Sequence, residues 1–148
     1  FIDCCHCVQW AENMLEARPF ENVSAVVNAA ADFWDLASDA MIFEAFNGHA
    51  LIGDRAAIKI KYSAAAKEQG QINDANDDTL TAIGQENKAY FEAYGFIFIV
   101  CATGKSAEEM LELLRQRMGN SREQELQAGG SEQGKITRLR LQQRLSDA

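Results

Sequence analysis

Along most of this chain apolar residues recur every three or four positions. From Val23 they fall at Val26, Val27, Ala30, Phe33, Trp34 and Ala37, the spacing of a helix with one buried stripe. Asn22 stands at the N-cap position, where a short polar side chain can accept from the open backbone N–H groups of the first turn. After Ser38 a shorter helix turns Met41, Ile42, Ala45 and Phe46 inward, with Gly48 as its stop. The stretch Val8–Glu16 reads as helix too. A longer helix starts at Asp77 or Asp78, carries Leu80, Ile83, Tyr90, Phe91 and Tyr94, and ends at Gly95 in the left-handed conformation that glycine adopts freely. Ser106-Ala107-Glu108-Glu109 is a capping box; the helix it opens runs through Met110, Leu111, Leu114 and Met118 and closes at Gly119. A last helix begins at Asn120-Ser121-Arg122-Glu123. Gly129-Gly130-Ser131 predicts a break in it, at about 1 kcal/mol per interior glycine, before it resumes through Ile136, Leu139, Leu141 and Leu145.

One run departs from this period. Phe96-Ile97-Phe98-Ile99-Val100-Cys101-Ala102 alone resembles a buried strand, but no second convincing strand exists to pair with it. An unpaired strand leaves its backbone groups unsatisfied, so the run is read as a buried connector, extended or helical. The predicted class is all-α: a single domain over residues 1–148 built as an irregular helical bundle of about six to eight helices. The length of 148 residues suits one domain, and 47% hydrophobic residues is too many for a disordered chain. No apolar run approaches the roughly 20 residues that a membrane-spanning helix needs. Fourteen basic against twenty-two acidic residues give a net charge of −8, which repels a phosphate backbone and argues against a nucleic-acid partner.

Three of the four cysteines lie within four residues, in Cys4-Cys5-His6-Cys7. Adjacent thiols meet disulfide geometry poorly, so the pattern favours a reducing compartment. Cys4 and Cys7 have CxxC spacing, but a structural zinc site takes four ligands, commonly two separated pairs, and no second pair occurs. A metal-binding or redox module is one reading; the other is that these thiols pack as small hydrophobes. His49 is one of two histidines and follows a helix-ending glycine, a place where an imidazole can face a cleft or be an ordinary loop residue. Glu68 reads on its own as an exposed helix glutamate; with a histidine it makes a minimal acid–base pair. The chain begins with Phe1, so its first residues are expected to be missing, and nothing there resembles a signal peptide.

Taken together and in order, several blocks resemble the family of 2-oxo-4-hydroxy-4-carboxy-5-ureidoimidazoline (OHCU) decarboxylases of urate breakdown. Arg18-Pro19-Phe20 resembles that family's early Arg-Pro-Phe. Ala45-Phe46-Asn47-Gly48-His49-Ala50-Leu51-Ile52-Gly53-Asp54 resembles its AF-x-x-HP-x-IG-(D/E) block, and Glu68-Gln69 the end of its S-x-x-EQ block. Asn87 to Ser106, with Tyr90, Gly95, the Phe98 run and Gly104, resembles its N-x-x-Y-x-x-x-FG-x-x-F segment, and Ile136-Thr137-Arg138-Leu139-Arg140-Leu141 its closing I-x-RLRL helix. The resemblance covers residues 8 to 145.

The resemblance implies an all-α enzyme that uses no metal and no organic cofactor and converts OHCU to (S)-allantoin. It implies His49 and Glu68 as the catalytic pair. Gln69, the backbone at Phe98, Ile99 and Val100, and Arg140 become the substrate contacts. The family's proline after the histidine is Ala50 here, and its serine three residues before the glutamate is Ala65. Proline stiffens the loop that aims the imidazole, and serine offers a cap and a hydroxyl. These losses support the alternative, a non-catalytic helical ligand-binding or scaffold module. The expected location is cytoplasmic, without a Ser-Lys-Leu ending. Where the chain self-associates, a two-fold homodimer through an exposed helical face is the expectation.

Overall fold

The computed structural model describes residues 1–49 and 77–146. The regular structure there is helical throughout: α1 Val8–Glu16, α2 Val23–Asp35, α3 Asp39–Phe46, α4 Asp77–Tyr94, α5 Ala107–Arg117 and α6 Arg122–Ser146. The protein is all-α, as the periodicity predicts. Most helix ends lie where local chemistry sets them. The Asn22 side chain accepts from the Ala25 amide at 2.8 Å, Ser38 Oγ from Met41 at 3.2 Å, and Ser106 Oγ from Glu109 at 3.2 Å. Gly95 ends α4 with φ of 80°. The first turn of α1 lacks a side-chain cap at Cys7, and a residue distant in sequence supplies one: Glu44 of α3 accepts from the Val8 amide at 2.6 Å. A carboxylate at a helix N-terminus also complements the partial positive charge there.

The described residues form two compact units. The first holds residues 1–49, 99–101 and 126–146; the second holds 77–98 and 102–125. In the first, α1 packs on α2 around Trp10, which is fully buried and donates from Nε1 to the Ala30 carbonyl at 3.1 Å. Met14, Val26, Ala30, Ala45 and Leu141 complete this core together with Cys4, Cys5 and Cys7. All four cysteines are free and buried. The thiols are thus part of the apolar packing, which favours the small-hydrophobe reading over a redox or metal module.

Helix α6 runs unbroken through Gly129-Gly130-Ser131, against the interruption expected there. Its glycines are contact points. A Cβ on Gly129 would stand 2.7 Å from Phe46 Cζ, one on Gly130 3.3 Å from Ile42 Cδ1, and one on Gly134 3.2 Å from Trp34 Cδ1. Their absence lets the helix backbone press onto α2 and α3, and Trp34 Nε1 reaches the Gly130 carbonyl at 2.8 Å. Burial and this hydrogen bond offset the intrinsic cost of glycine. Gly48 and Gly119 also differ from expectation: α3 and α5 end at right-handed caps, Asn47 and Met118. At Gly48 the need is for space, since a Cβ would collide with the His6 side chain. Phe91, Leu139 and Val23, expected on buried stripes, are 40%, 41% and 45% exposed at the stripe edges.

The second unit is organised by a buried carboxylate. Glu125 is fully buried and accepts from Tyr90 Oη at 2.6 Å, Arg117 Nε at 2.8 Å and Asn120 Nδ2 at 2.8 Å. Burial, then the hydrogen bond to this carboxylate, pushes the Tyr90 phenol far above its usual range. Tyr90 also packs against Tyr94, Phe96 and Phe98, with ring centroids 4.5, 6.1 and 5.4 Å away. The Arg117 guanidinium lies over Phe98 at 4.5 Å. The tyrosine hydroxyl of Tyr94 closes the end of α5, donating to the Asn120 carbonyl at 2.7 Å.

Candidate functional site

Among the site residues expected from sequence, His49, Phe98, Ile99, Val100 and Arg140 are described. Glu68 and Gln69 lie outside the described residues, as do Ala50 and Ala65. His49 follows the last turn of α3, its amide donating to the Phe46 carbonyl at 3.1 Å, and its side chain is half-buried. Helix α6 faces it in the first unit. Spacings of four and three place Gln133, Thr137 and Arg140 along one side of that helix.

These residues form a continuous hydrogen-bonded chain. His49 Nε2 lies 2.5 Å from Gln133 Oε1. Gln133 Nε2 donates to Thr137 Oγ1 at 3.1 Å, and Thr137 Oγ1 donates to the Cys4 carbonyl at 3.3 Å. Arg140 Nη1 donates to the same carbonyl, also at 3.3 Å. Two residues expected at the site, His49 and Arg140, are therefore linked through two that the sequence reading passed over. Gln133 is fully buried and Thr137 is 4% exposed. Polar residues are ordinarily placed outward in a periodicity reading; the signal available was that both stand four apart on the stripe that also carries Leu141. The contact with Cys4 uses one N–H of an Arg140 guanidinium that carries several.

Beside this chain lies Cys5. Burial pushes its thiol up to about 12, and the Thr137 hydroxyl and the Arg140 charge only partly oppose that rise. Burial raises Cys7 as well. Neither thiol carries thiolate character near neutral pH, so neither suits nucleophilic or redox work.

The connector after α4 is buried, as the sequence predicts, and carries no regular helix at Phe98 to Val100. Phe98, Ile99, Val100 and Cys101 are all less than a tenth exposed. Part of its backbone is satisfied by a side chain: Glu132 Oε1 of α6 accepts from the Cys101 amide at 3.3 Å. Lys135 holds Glu132 from the other side, Nζ to Oε2 at 2.5 Å, and this bond raises the lysine above its usual range.

Comparison with known proteins gives this architecture its relatives. The chain is 31% identical over 148 residues to "Uric acid degradation bifunctional protein TTL" of Arabidopsis thaliana, covering 97% of this chain and 46% of that protein. It is 45% identical over 56 residues to "2-oxo-4-hydroxy-4-carboxy-5-ureidoimidazoline decarboxylase" of Amia calva, covering 38% of this chain and 32% of that one. The chain thus spans less than half the length of these curated relatives. Among solved structures, a crystal structure of OHCU decarboxylase in the presence of (S)-allantoin superposes with a TM-score of 0.81 at 29% identity, over 98% of this chain and 96% of that one. A crystal structure of (S)-allantoin synthase, 21% identical with a TM-score of 0.64, shares the fold over 95% of this chain and 43% of its own. The family model described as OHCU decarboxylase matches residues 1–142, and a match over nearly the whole chain shows that it belongs to the OHCU decarboxylase family.

Proposed function

We infer that the protein decarboxylates OHCU to (S)-allantoin in urate breakdown, with His49 and Glu68 as its acid–base pair. The observation that carries this reading is the similarity to a solved OHCU decarboxylase over 98% of the chain. In the reaction the bond from the ring carbon to its carboxylate breaks and carbon dioxide leaves. The electron pair stays on the ring as an enolate-like anion, and one proton is then delivered to one face of that carbon. His49 hydrogen-bonds the substrate and, as imidazolium, supplies the proton. Glu68 orients the imidazole or takes the hydroxyl proton. Gln69 and Arg140 hold the developing negative charge, and backbone groups of Phe98, Ile99 and Val100 hold the ureido and ring amides. Charged and polar donors aimed at the anion are worth most in a site that is partly dry. Four buried free thiols are consistent with a cytoplasmic location.

The test is a coupled assay. Urate oxidase and 5-hydroxyisourate hydrolase generate OHCU in place, and circular dichroism follows the appearance of (S)-allantoin with and without the protein. Acceleration that His49→Ala and Glu68→Ala each abolish supports the pair. No acceleration by folded protein refutes the catalytic reading. Saturable binding of allantoin without turnover then favours a non-catalytic module, the reading that Ala50 and Ala65 support.

A further inference from the structure

We propose that Glu132 of α6 is a positioning residue: it holds the peptide plane between Val100 and Cys101 so that the Val100 carbonyl stands as an acceptor for an N–H of the ligand. The contact joins two segments of the first unit, the connector at residues 99–101 and α6. Glu132 Oε1 accepts from the Cys101 amide at 3.3 Å, and Lys135 Nζ holds Oε2 at 2.5 Å. The carboxylate is only 15% exposed, so water competes little for this bond. The peptide is trans. In a planar trans peptide the N–H of one residue and the C=O of the residue before it point in opposite directions. Drawing the Cys101 N–H toward Glu132 therefore turns the Val100 carbonyl away from it. An ionised carboxylate only accepts, so the reversed plane would set one oxygen against another.

The Val100 backbone is what gives this orientation a use. Val100 is 7% exposed, and its carbonyl has no hydrogen-bond partner among the described residues. Buried backbone groups are nearly always paired, so an open carbonyl in the connector is a place for a ligand's polar edge. The orientation decides which partner fits. As Glu132 holds it, the plane offers an acceptor suited to the N–H groups of a ureido or ring amide; reversed, it would offer a donor. Helix α6 thus serves the site twice, since Gln133, the next residue, reaches His49. That the ligand is OHCU or allantoin rests on the decarboxylase reading above; the hold of Glu132 on the peptide plane does not.

The experiment has two arms. Carbonyl-13C valine and nitrogen-15 cysteine, incorporated together in the full chain, mark this peptide alone in an NMR spectrum, because Val100-Cys101 is the one valine–cysteine step in the sequence. In the unaltered protein the Cys101 amide should exchange slowly with deuterium, and the Val100 carbonyl resonance should shift as (S)-allantoin is titrated in. In Glu132→Leu the amide should exchange at least about 10-fold faster, the loss expected of a charge-assisted hydrogen bond. Glu132→Gln, which keeps an acceptor oxygen, should exchange near the parent rate. In the coupled assay Glu132→Leu should raise KM about 10-fold with kcat within about 3-fold, because the contact is made in the ground state and the transition state alike, and Glu132→Gln should recover most of the loss. A merely structural role would lower kcat with the folded fraction and leave KM unchanged, and that outcome overturns the proposal. So does a Cys101 amide in the unaltered protein that exchanges as fast as an unstructured one, or a Val100 carbonyl that (S)-allantoin does not move; neither measurement needs a variant to fold. A Cys101 amide that depends on Glu132 and a Val100 carbonyl that answers (S)-allantoin, with no turnover of OHCU by any form, uphold the positioning and refute the decarboxylase reading instead.

Discussion

Replacing Gly129 by alanine distinguishes a glycine that breaks a helix from one that lets a helix pack. At a break or on an open face, alanine would stabilise by about 1 kcal/mol through helix propensity and reduced unfolded-state entropy. In the structure the new Cβ would lie 2.7 Å from Phe46 Cζ and 3.3 and 3.4 Å from the two Cε atoms. Phe46 is 1% exposed, so its ring has little room to yield. Overpacking of this kind costs about 1–3 kcal/mol, and a contact this short belongs in the upper part of that range. Subtracting the propensity gain leaves a net loss of about 1–2 kcal/mol, or a fall in Tm of about 2–8 °C for a chain of this length. Gly119→Ala is the internal control, since its Cβ would meet only the Gln116 carbonyl oxygen at 3.7 Å, an ordinary contact. It should change stability by less than about 0.5 kcal/mol. Thermal melts of the three proteins decide the matter. A Gly129→Ala protein as stable as its parent, or more so, refutes the packing argument and restores the helix-break reading.

Other consequences follow from the buried polar groups. Glu125→Leu removes the carboxylate that Tyr90, Arg117 and Asn120 share and leaves the Arg117 charge without it. Breaking a buried pair this way costs about 3–5 kcal/mol, readable as a lowered urea midpoint, and an unchanged midpoint contradicts the role given to Glu125. Stability should fall on the alkaline side. The Cys5 thiol is raised from 9.0 to about 12 in the folded state, so above pH 9 the unfolded chain sheds a proton that the folded chain keeps. Its contribution is complete below pH 9 and is lost as pH climbs toward 12; Tyr90, raised above its ordinary value of 10.0, acts in the same direction from about pH 10. Urea midpoints measured from pH 8 to 11 should decline, with a shallower slope in Cys5→Ala, and a flat profile would count against the buried thiol. Cys5 should also resist a thiol reagent at pH 8 until the protein unfolds, and rapid labelling of the native chain would show the thiol to be accessible. Ser106→Ala should destabilise by about 1 kcal/mol through loss of the α5 cap, checked by thermal melt.

What the sequence by itself determined is what local chemistry decides. Asn22, Ser38, Ser106 and Gly95 mark helix ends because a cap acts within one turn of its own residue, and the three-to-four spacing of apolar residues marks the helices between them. The all-α class and the buried connector at Phe98 to Val100 were legible for the same reason. The block around His49 and the closing helix with Arg140 carried the family resemblance, which the whole-chain match bears out. Only the tertiary structure decided the rest. Gly129 and Gly130 look like a break until Phe46, Ile42 and Trp34 are set against them, because the compensation comes from contacts more than eighty residues away in sequence. Cys4, Cys5 and Cys7 look like ligands until Trp10 and Met14 enclose them. Gln133 and Thr137 look like surface residues until packing buries them. A buried polar side chain must then find its partner, and the partner it finds is His49. Periodicity records which side of a helix is apolar; it does not record which polar group on that side meets a histidine brought there by another helix.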